Sequence, residues 1–150
     1  MRCGAVGVGR MGRHHARVYG QLEDTELVGV VDADLERAAD MVEQFGGKAY
    51  ATIDELLEAG VDAVSIAAPT VAHRLLAEKC INAGVHCLIE KPLAGSSADA
   101  EAIRDLAEQR GVVLMVGHIE RFNPIMRAMQ RATAADESIT PRFIEVHRVS

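Results

Sequence analysis

The chain has 150 residues, of which 49% are hydrophobic and 25% charged, with 13 Gly and only 4 Pro. That is the size and composition of one packed domain, and it excludes collagen-like, disordered and low-complexity classes. With 16 Lys and Arg against 22 Asp and Glu, a net charge of −6, and few aromatics (2 Tyr, 3 Phe), neither nucleic acid nor an anionic membrane surface is an expected partner.

In chain order, a strand-length apolar run over residues 3–8 leads into the glycine-rich segment GVGRMGRHHARVY (Gly7 to Tyr19). A second apolar run over 27–31 precedes Asp32, after which Leu35, Ala38, Val42 and Phe45 repeat at helical spacing between a potential N-cap, Asp34, and potential C-caps, Gly46 and Gly47. Thr52 and Glu55 have the spacing of a capping box for a short helix ending near Glu58. Three further runs, over 63–67, 86–89 and 112–116, alternate with helical stripes at Ala72, Leu76, Cys80 and Ala83 and at Ala100, Ile103 and Ala107, ending at Gly84 and Gly111. Pro124 can open a last helix reaching about Thr133, followed by a polar linker over 135–141 and a strand-like segment over 142–150.

Alternation of short β-branched runs with helical segments predicts a doubly wound α/β fold around a parallel sheet. The runs are continuously apolar, so helices are expected on both faces of that sheet. None approaches the roughly 20 residues that span a bilayer. Cys3, Cys80 and Cys87 lie within apolar runs or stripes and form no CxxC pair, which predicts buried, reduced thiols in a cytoplasmic protein.

Gly7, Gly9 and Gly12 form a GxGxxG that closes a strand, opens a helix and is followed about 20 residues later by Asp32 at the end of the second run. Gly7 would permit the tight turn, Gly9 the approach of a pyrophosphate to the helix N-terminus, and Gly12 close packing of helix on sheet. The alternative is a glycine turn that serves packing alone. Asp32 would accept hydrogen bonds from ribose hydroxyls and repel a 2′-phosphate, favouring NAD over NADP; Arg37 could instead swing toward such a phosphate or remain a solvated helix-face arginine.

Ligands of open α/β sheets bind beyond the carboxyl ends of the strands, where this chain places Ala68, Pro69 and Thr70, then Glu90, Lys91 and Pro92, then Gly117, His118, Glu120 and Arg121. An ammonium at Lys91 could orient a hydroxyl or share in proton transfer, although position alone favours a surface lysine in a turn. For His73, a ligand role and a capping role are both open. His14 and His15 are neighbours on different helix faces, so they do not converge on a metal; helix-surface roles are expected for both, and no metal site is expected anywhere in the chain.

These segments, with APTVAH (Ala68 to His73), EKPLA (Glu90 to Ala94) and GHIERFNP (Gly117 to Pro124), resemble the Gfo/Idh/MocA oxidoreductases over about the first 125 residues. The resemblance implies a Rossmann NAD-binding domain over 1–120. It also implies that 121–150 form the connecting helix, linker and first strand of a second, α+β substrate and oligomerisation domain that the chain leaves incomplete. It places Gly7, Gly9, Arg10, Met11 and Gly12 on the pyrophosphate, Asp32 on the adenosine ribose with Arg37 nearby, and Ala68, Pro69, Thr70 and His73 along the cofactor path. Glu90 and Lys91 would meet the nicotinamide ribose, with Lys91 also in the proton relay and Pro92 preceded by a cis peptide; Arg121 would belong to the cofactor side. The implied activity is NAD-dependent, or NADP-dependent, oxidation of a secondary alcohol of a sugar, cyclitol or nucleotide sugar by a cytoplasmic homo-oligomer. A different Rossmann dehydrogenase, such as an imine reductase, is a second reading, and a stand-alone NAD sensor or regulatory module without catalysis is a third.

Overall fold

The computed structural model describes residues 1–135, so the strand expected over 142–150 and nearly all of the expected linker lie outside the described residues. The chain divides into a unit Met1–Gly117 and a second unit beginning at His118.

The first unit holds six parallel strands, β1 (Arg2–Val6), β2 (Glu26–Val31), β3 (Lys48–Tyr50), β4 (Ala63–Ile66), β5 (His86–Ile89) and β6 (Leu114–Val116), in the order β3-β2-β1-β4-β5-β6. This is the doubly wound α/β fold that the alternation predicts. β3 is an addition to it: three residues carry no readable period, and pairing with β2 is what makes Lys48–Tyr50 a strand. Parallel neighbours require crossovers, supplied by α1 (Gly12–Gln21), α2 (Leu35–Phe45), α3 (Ile53–Glu58), α4 (Thr70–Asn82) and α5 (Ser97–Arg110). The order reverses direction between β1 and β4, the place where such sheets open a crevice.

Local chemistry sets the helix ends. The Asp34 side chain accepts from the Arg37 N–H, Thr52 from Glu55, and Ser96 from Asp99, while Gly111 ends α5 in the left-handed conformation. The buried side of α4 is His73, Ala77, Cys80 and Ile81, so the stripe expected through Ala72 and Leu76 is rotated. Those two residues instead line the cleft described below.

One core cluster packs Val6, Val64, Ile66 and Ile89 of the sheet against Leu56, Ile81 and Ile103 of the helices. The other packs Ala5, Leu27 and Val30 against Ala16 and Ala38. Helical coverage is less complete than expected. The register aligns Ala5, Ser65, Leu88 and Met115 across the sheet. Tyr19 of α1 reaches Ser65 through a 2.6 Å hydroxyl contact, but Met115 stays half exposed.

All three cysteines are buried and unpaired, as expected. A hydrogen bond with Cys87 and burial push the Cys80 thiol up from its ordinary 9.0, and burial does the same at Cys3. Thiols that ionise later in the native state than in the unfolded one contribute stability that is complete below the ordinary 9.0 and declines as pH rises above it. We expect a lower melting temperature at about pH 10 than at pH 8, with part of the difference removed in Cys80→Ala. Equal pH dependence in the two proteins would contradict this assignment.

In the second unit a 3-10 turn, Ile119–Phe122, leads to α6 (Pro124–Ala135), whose first residue is the expected proline. The Asn123 side chain accepts from the Ile125 N–H at 3.0 Å and caps it.

Candidate functional site: a cleft at the sheet switch point

The chain leaves β1 through Gly7, whose φ of +79° only glycine adopts freely, and a Cβ there would stand 2.6 Å from the Ala68 backbone nitrogen. At Gly12 a Cβ would overlap the Gly7 carbonyl oxygen, so α1 approaches the turn as closely as a bare Cα allows. Gly9 differs from both. A Cβ there meets nothing within 4 Å, so its missing side chain leaves open space beside the loop.

That space belongs to a cleft of about 720 Å³ bordered by Gly7, Gly9, Arg10, Met11, Asp32, Arg37, Ala68 and Pro69. These predicted residues thus share one cavity. Its walls also include Ala33, Ile53, Ala72 and Leu76, which sequence reasoning missed. Thr52 and Ile53 follow β3, so overlooking that strand hid the loop after it; the rotation of α4 accounts for Ala72 and Leu76.

The cleft's electrostatics come from two helix ends and one carboxylate. Neither Met11 nor Pro69, the N-cap residues of α1 and α4, supplies a side-chain cap, and neither helix has an acidic residue in its first turn. The leading N–H groups of a helix have no intrahelical acceptor and carry partial positive charge. Asp32, 7% exposed at the end of β2, accepts from the Val8 N–H at 2.8 Å on Oδ2 and from the Asp34 N–H at 2.9 Å on Oδ1. Arg37, with 46% of its side chain exposed, forks between Asp32 Oδ1 at 3.0 Å and Asp34 Oδ2 at 2.9 Å. It is therefore an ion-paired residue on the cleft rim, not a purely solvated one. Each carboxylate oxygen accepts up to two hydrogen bonds, so Asp32 Oδ2 retains capacity for a hydroxyl. Open space at a glycine, uncapped helix ends and an anchored carboxylate at the end of the neighbouring strand fit a dinucleotide: a pyrophosphate at α1 and a ribose at Asp32.

The other predicted residues stand off the wall of this cavity. Gly12 is buried beneath the loop and Thr70 opens α4. His73 is 1% exposed; its Nε2 lies 2.9 Å from the Ala68 carbonyl and its Nδ1 3.0 Å from the Pro92 carbonyl, so the ring braces the loops after β4 and β5. That is not the helix cap weighed from sequence. Glu90, 7% exposed, turns inward to His15, with Oε1 3.1 Å from Nε2. His15 is thus drawn into the unit, where the sequence suggests a helix-surface residue. Lys91 is exposed, and among the described residues its ammonium has no hydrogen bond or ion pair. The Lys91–Pro92 peptide is cis, as the resemblance implies. Arg121 lies in the 3-10 turn of the second unit, exposed, with its backbone N–H donating to the His118 carbonyl at 3.0 Å. No group of three or more potential metal ligands occurs among the described residues.

Comparison with known proteins accords with this geometry. The model of the Gfo/Idh/MocA oxidoreductase family, NAD-binding Rossmann fold, matches residues 1–118. The chain is 41% identical over 150 residues to the UDP-N-acetylglucosamine 3-dehydrogenase of Acidithiobacillus ferrooxidans, covering 100% of this chain and 46% of that protein. Among solved structures it superposes with a TM-score of 0.86 and 35% identity on an enzyme of gentamicin A biosynthesis in complex with NAD, over 92% of this chain and 40% of that one. It also superposes with a TM-score of 0.83 and 28% identity on a 3-ketoreductase from Actinomadura kijaniata in complex with NADP, over 90% of this chain and 44% of that one. The chain thus spans less than half the length of the relatives it matches.

Proposed function

Because the chain belongs to the Gfo/Idh/MocA oxidoreductase family, we propose that residues 1–120 bind NAD in the switch-point cleft and serve the oxidation of a secondary alcohol on a sugar, cyclitol or nucleotide sugar. The observation that carries this reading is the anchored Asp32 carboxylate lining the same cleft as the uncapped N-terminus of α1. The Asp32–Arg37 pair supports NAD over NADP, since a 2′-phosphate would meet a carboxylate and would have to draw Arg37 from two acidic partners. The 41% identity to a nucleotide-sugar dehydrogenase supports the substrate class. The reading extends to a cytoplasmic homo-oligomer in which 121–150 lead into a substrate and oligomerisation region. No described helix is long and apolar enough to cross a membrane.

When bound, the nicotinamide supplies the hydride acceptor. The chain's own contribution is positional and protonic: Gly7 to Gly12 receive the pyrophosphate, Asp32 orients the ribose, and Lys91 Nζ, unpaired among the described residues and just past the end of β5, hydrogen-bonds the reacting hydroxyl and passes on its proton. The test is an assay of the full gene product with NAD against a panel of sugars, cyclitols and nucleotide sugars. We expect Lys91→Ala to lower kcat by about 10²- to 10⁴-fold while NADH affinity stays within about threefold. Full turnover in that variant would remove Lys91 from the mechanism, and binding of NADH with no turnover of any alcohol would favour a regulatory NAD-binding module.

A further inference from the structure

Glu90 is a carboxylate taken almost wholly out of water, and among the described residues it has no hydrogen bond or ion pair with a Lys or Arg side chain. Its Oε1 lies 3.1 Å from His15 Nε2, and its Oε2 accepts the Lys91 backbone N–H at 3.3 Å. The carboxylate rests against Gly117, where a Cβ would come within 2.9 Å of Oε1, so bare backbone at the end of β6 leaves the room it occupies. A carboxylate in so dry a place needs a donor, and among the described residues His15 is the side chain that provides one. His15 stands one helical turn past Gly12, on the helix whose N-terminus borders the cleft. A single partly buried contact therefore joins the helix expected to receive the pyrophosphate to the peptide that carries Lys91.

We propose that His15 is a positioning residue: through Glu90 it fixes the Lys91 backbone relative to α1, so that the lysine ammonium meets a dinucleotide seated on the glycine loop. His73, bound to the carbonyls of Pro92 and Ala68, braces the same loop from α4, so the lysine's segment is held from two helices. The proposal rests on the NAD-binding reading above and adds a residue which that reading leaves without a role.

The test exploits a favourable composition, since the lysines of the chain are Lys48, Lys79 and Lys91. In the 150-residue chain labelled with ¹³C-lysine, the three Cε signals are assigned by Lys→Arg substitution and followed as NADH is added, with affinity measured in parallel by calorimetry. In the wild type, NADH should move the Lys91 signal and leave that of Lys79, which is paired with Asp54, in place. In His15→Ala, NADH should bind within about threefold of wild type, while the Lys91 displacement falls by more than about half. His15→Gln, whose amide can still donate to Glu90, should restore the displacement. A merely structural histidine would not give that combination of retained affinity, lost response and conservative rescue.

A full Lys91 displacement in folded His15→Ala overturns the proposal and leaves the NAD-binding reading intact. So does failure of the folded variant to bind NADH, which would make His15 a binding residue. If His15→Ala does not fold, Glu90→Ala decides: it removes the acceptor that joins His15 to the Lys91 N–H, and an undiminished Lys91 response in it overturns the proposal. A wild-type chain that binds no NADH overturns the NAD-binding reading and this inference with it.

Discussion

Alanine at Gly12 and alanine at Gly9 should fail in opposite ways. In a helix Ala is ordinarily more favourable than Gly by about 1 kcal/mol, but at Gly12 the new methyl would overlap the Gly7 carbonyl oxygen, and backbone rather than a flexible side chain would have to yield. Overpacking of that kind costs about 1–3 kcal/mol or more, so the clash outweighs the propensity. We expect Gly12→Ala to lower the denaturant midpoint by the equivalent of about 2 kcal/mol. At Gly9 the methyl meets nothing within 4 Å, and stability should stay within about 0.5 kcal/mol of wild type. The same methyl would stand where a pyrophosphate must approach the loop, so NADH affinity should fall at least about tenfold. Denaturant curves and NADH titrations of both variants check this. Equal destabilisation, or an unchanged affinity in Gly9→Ala, would count against the glycine loop as a nucleotide cradle.

Removal of the Asp32 carboxylate carries the second large effect, because it supports both fold and specificity. Asp32→Ala leaves the Val8 and Asp34 N–H groups without their side-chain acceptor. At about 1–3 kcal/mol for each buried unpaired donor, and less where water can enter from the cleft, a net loss of about 2 kcal/mol is expected. The variant also releases one arm of Arg37 and removes the negative charge facing the ribose. NADH affinity should drop about 10- to 100-fold, NADPH affinity much less, and the preference between them should narrow or reverse. Arg37→Ala offers the complementary measurement. It leaves Asp32 with both backbone partners, so NADH should still bind, whereas any residual NADPH binding should weaken further. If Asp32→Ala retained the wild-type ratio of the two affinities, the carboxylate would have no part in choosing the cofactor.

Local features read well from the sequence because their causes lie within a few residues. Asp34 and Thr52 cap the helices that follow them, Gly111 ends another, and Asp32 lies just beyond β2, each by chemistry visible in a short window. Features set by distant partners did not. β3 exists because Lys48–Tyr50 lies beside β2, and three residues carry no pattern of their own. The His15–Glu90 contact joins residues 75 positions apart, and nothing around either marks the other. His73 has the sequence position of a first-turn helix residue, yet its Nδ1 bonds carbonyls of the loop after β5, some 20 positions away. Leu88 and Met115 read as parts of continuously apolar strands, but α1 reaches across the sheet only as far as Ser65.

The affinity changes expected at Gly9 and Asp32 depend on the proposed binding of NAD in the cleft between the glycine loop and Asp32. Calorimetric titration of the wild-type chain with NADH, then NADPH, and of Gly9→Ala with NADH tests it most directly. Binding should be saturable and one-to-one, tighter for NADH than for NADPH and markedly weakened in a Gly9→Ala variant that is as stable as wild type. No binding of either nucleotide at millimolar concentration, or equal NADH affinity in the two chains, would contradict it.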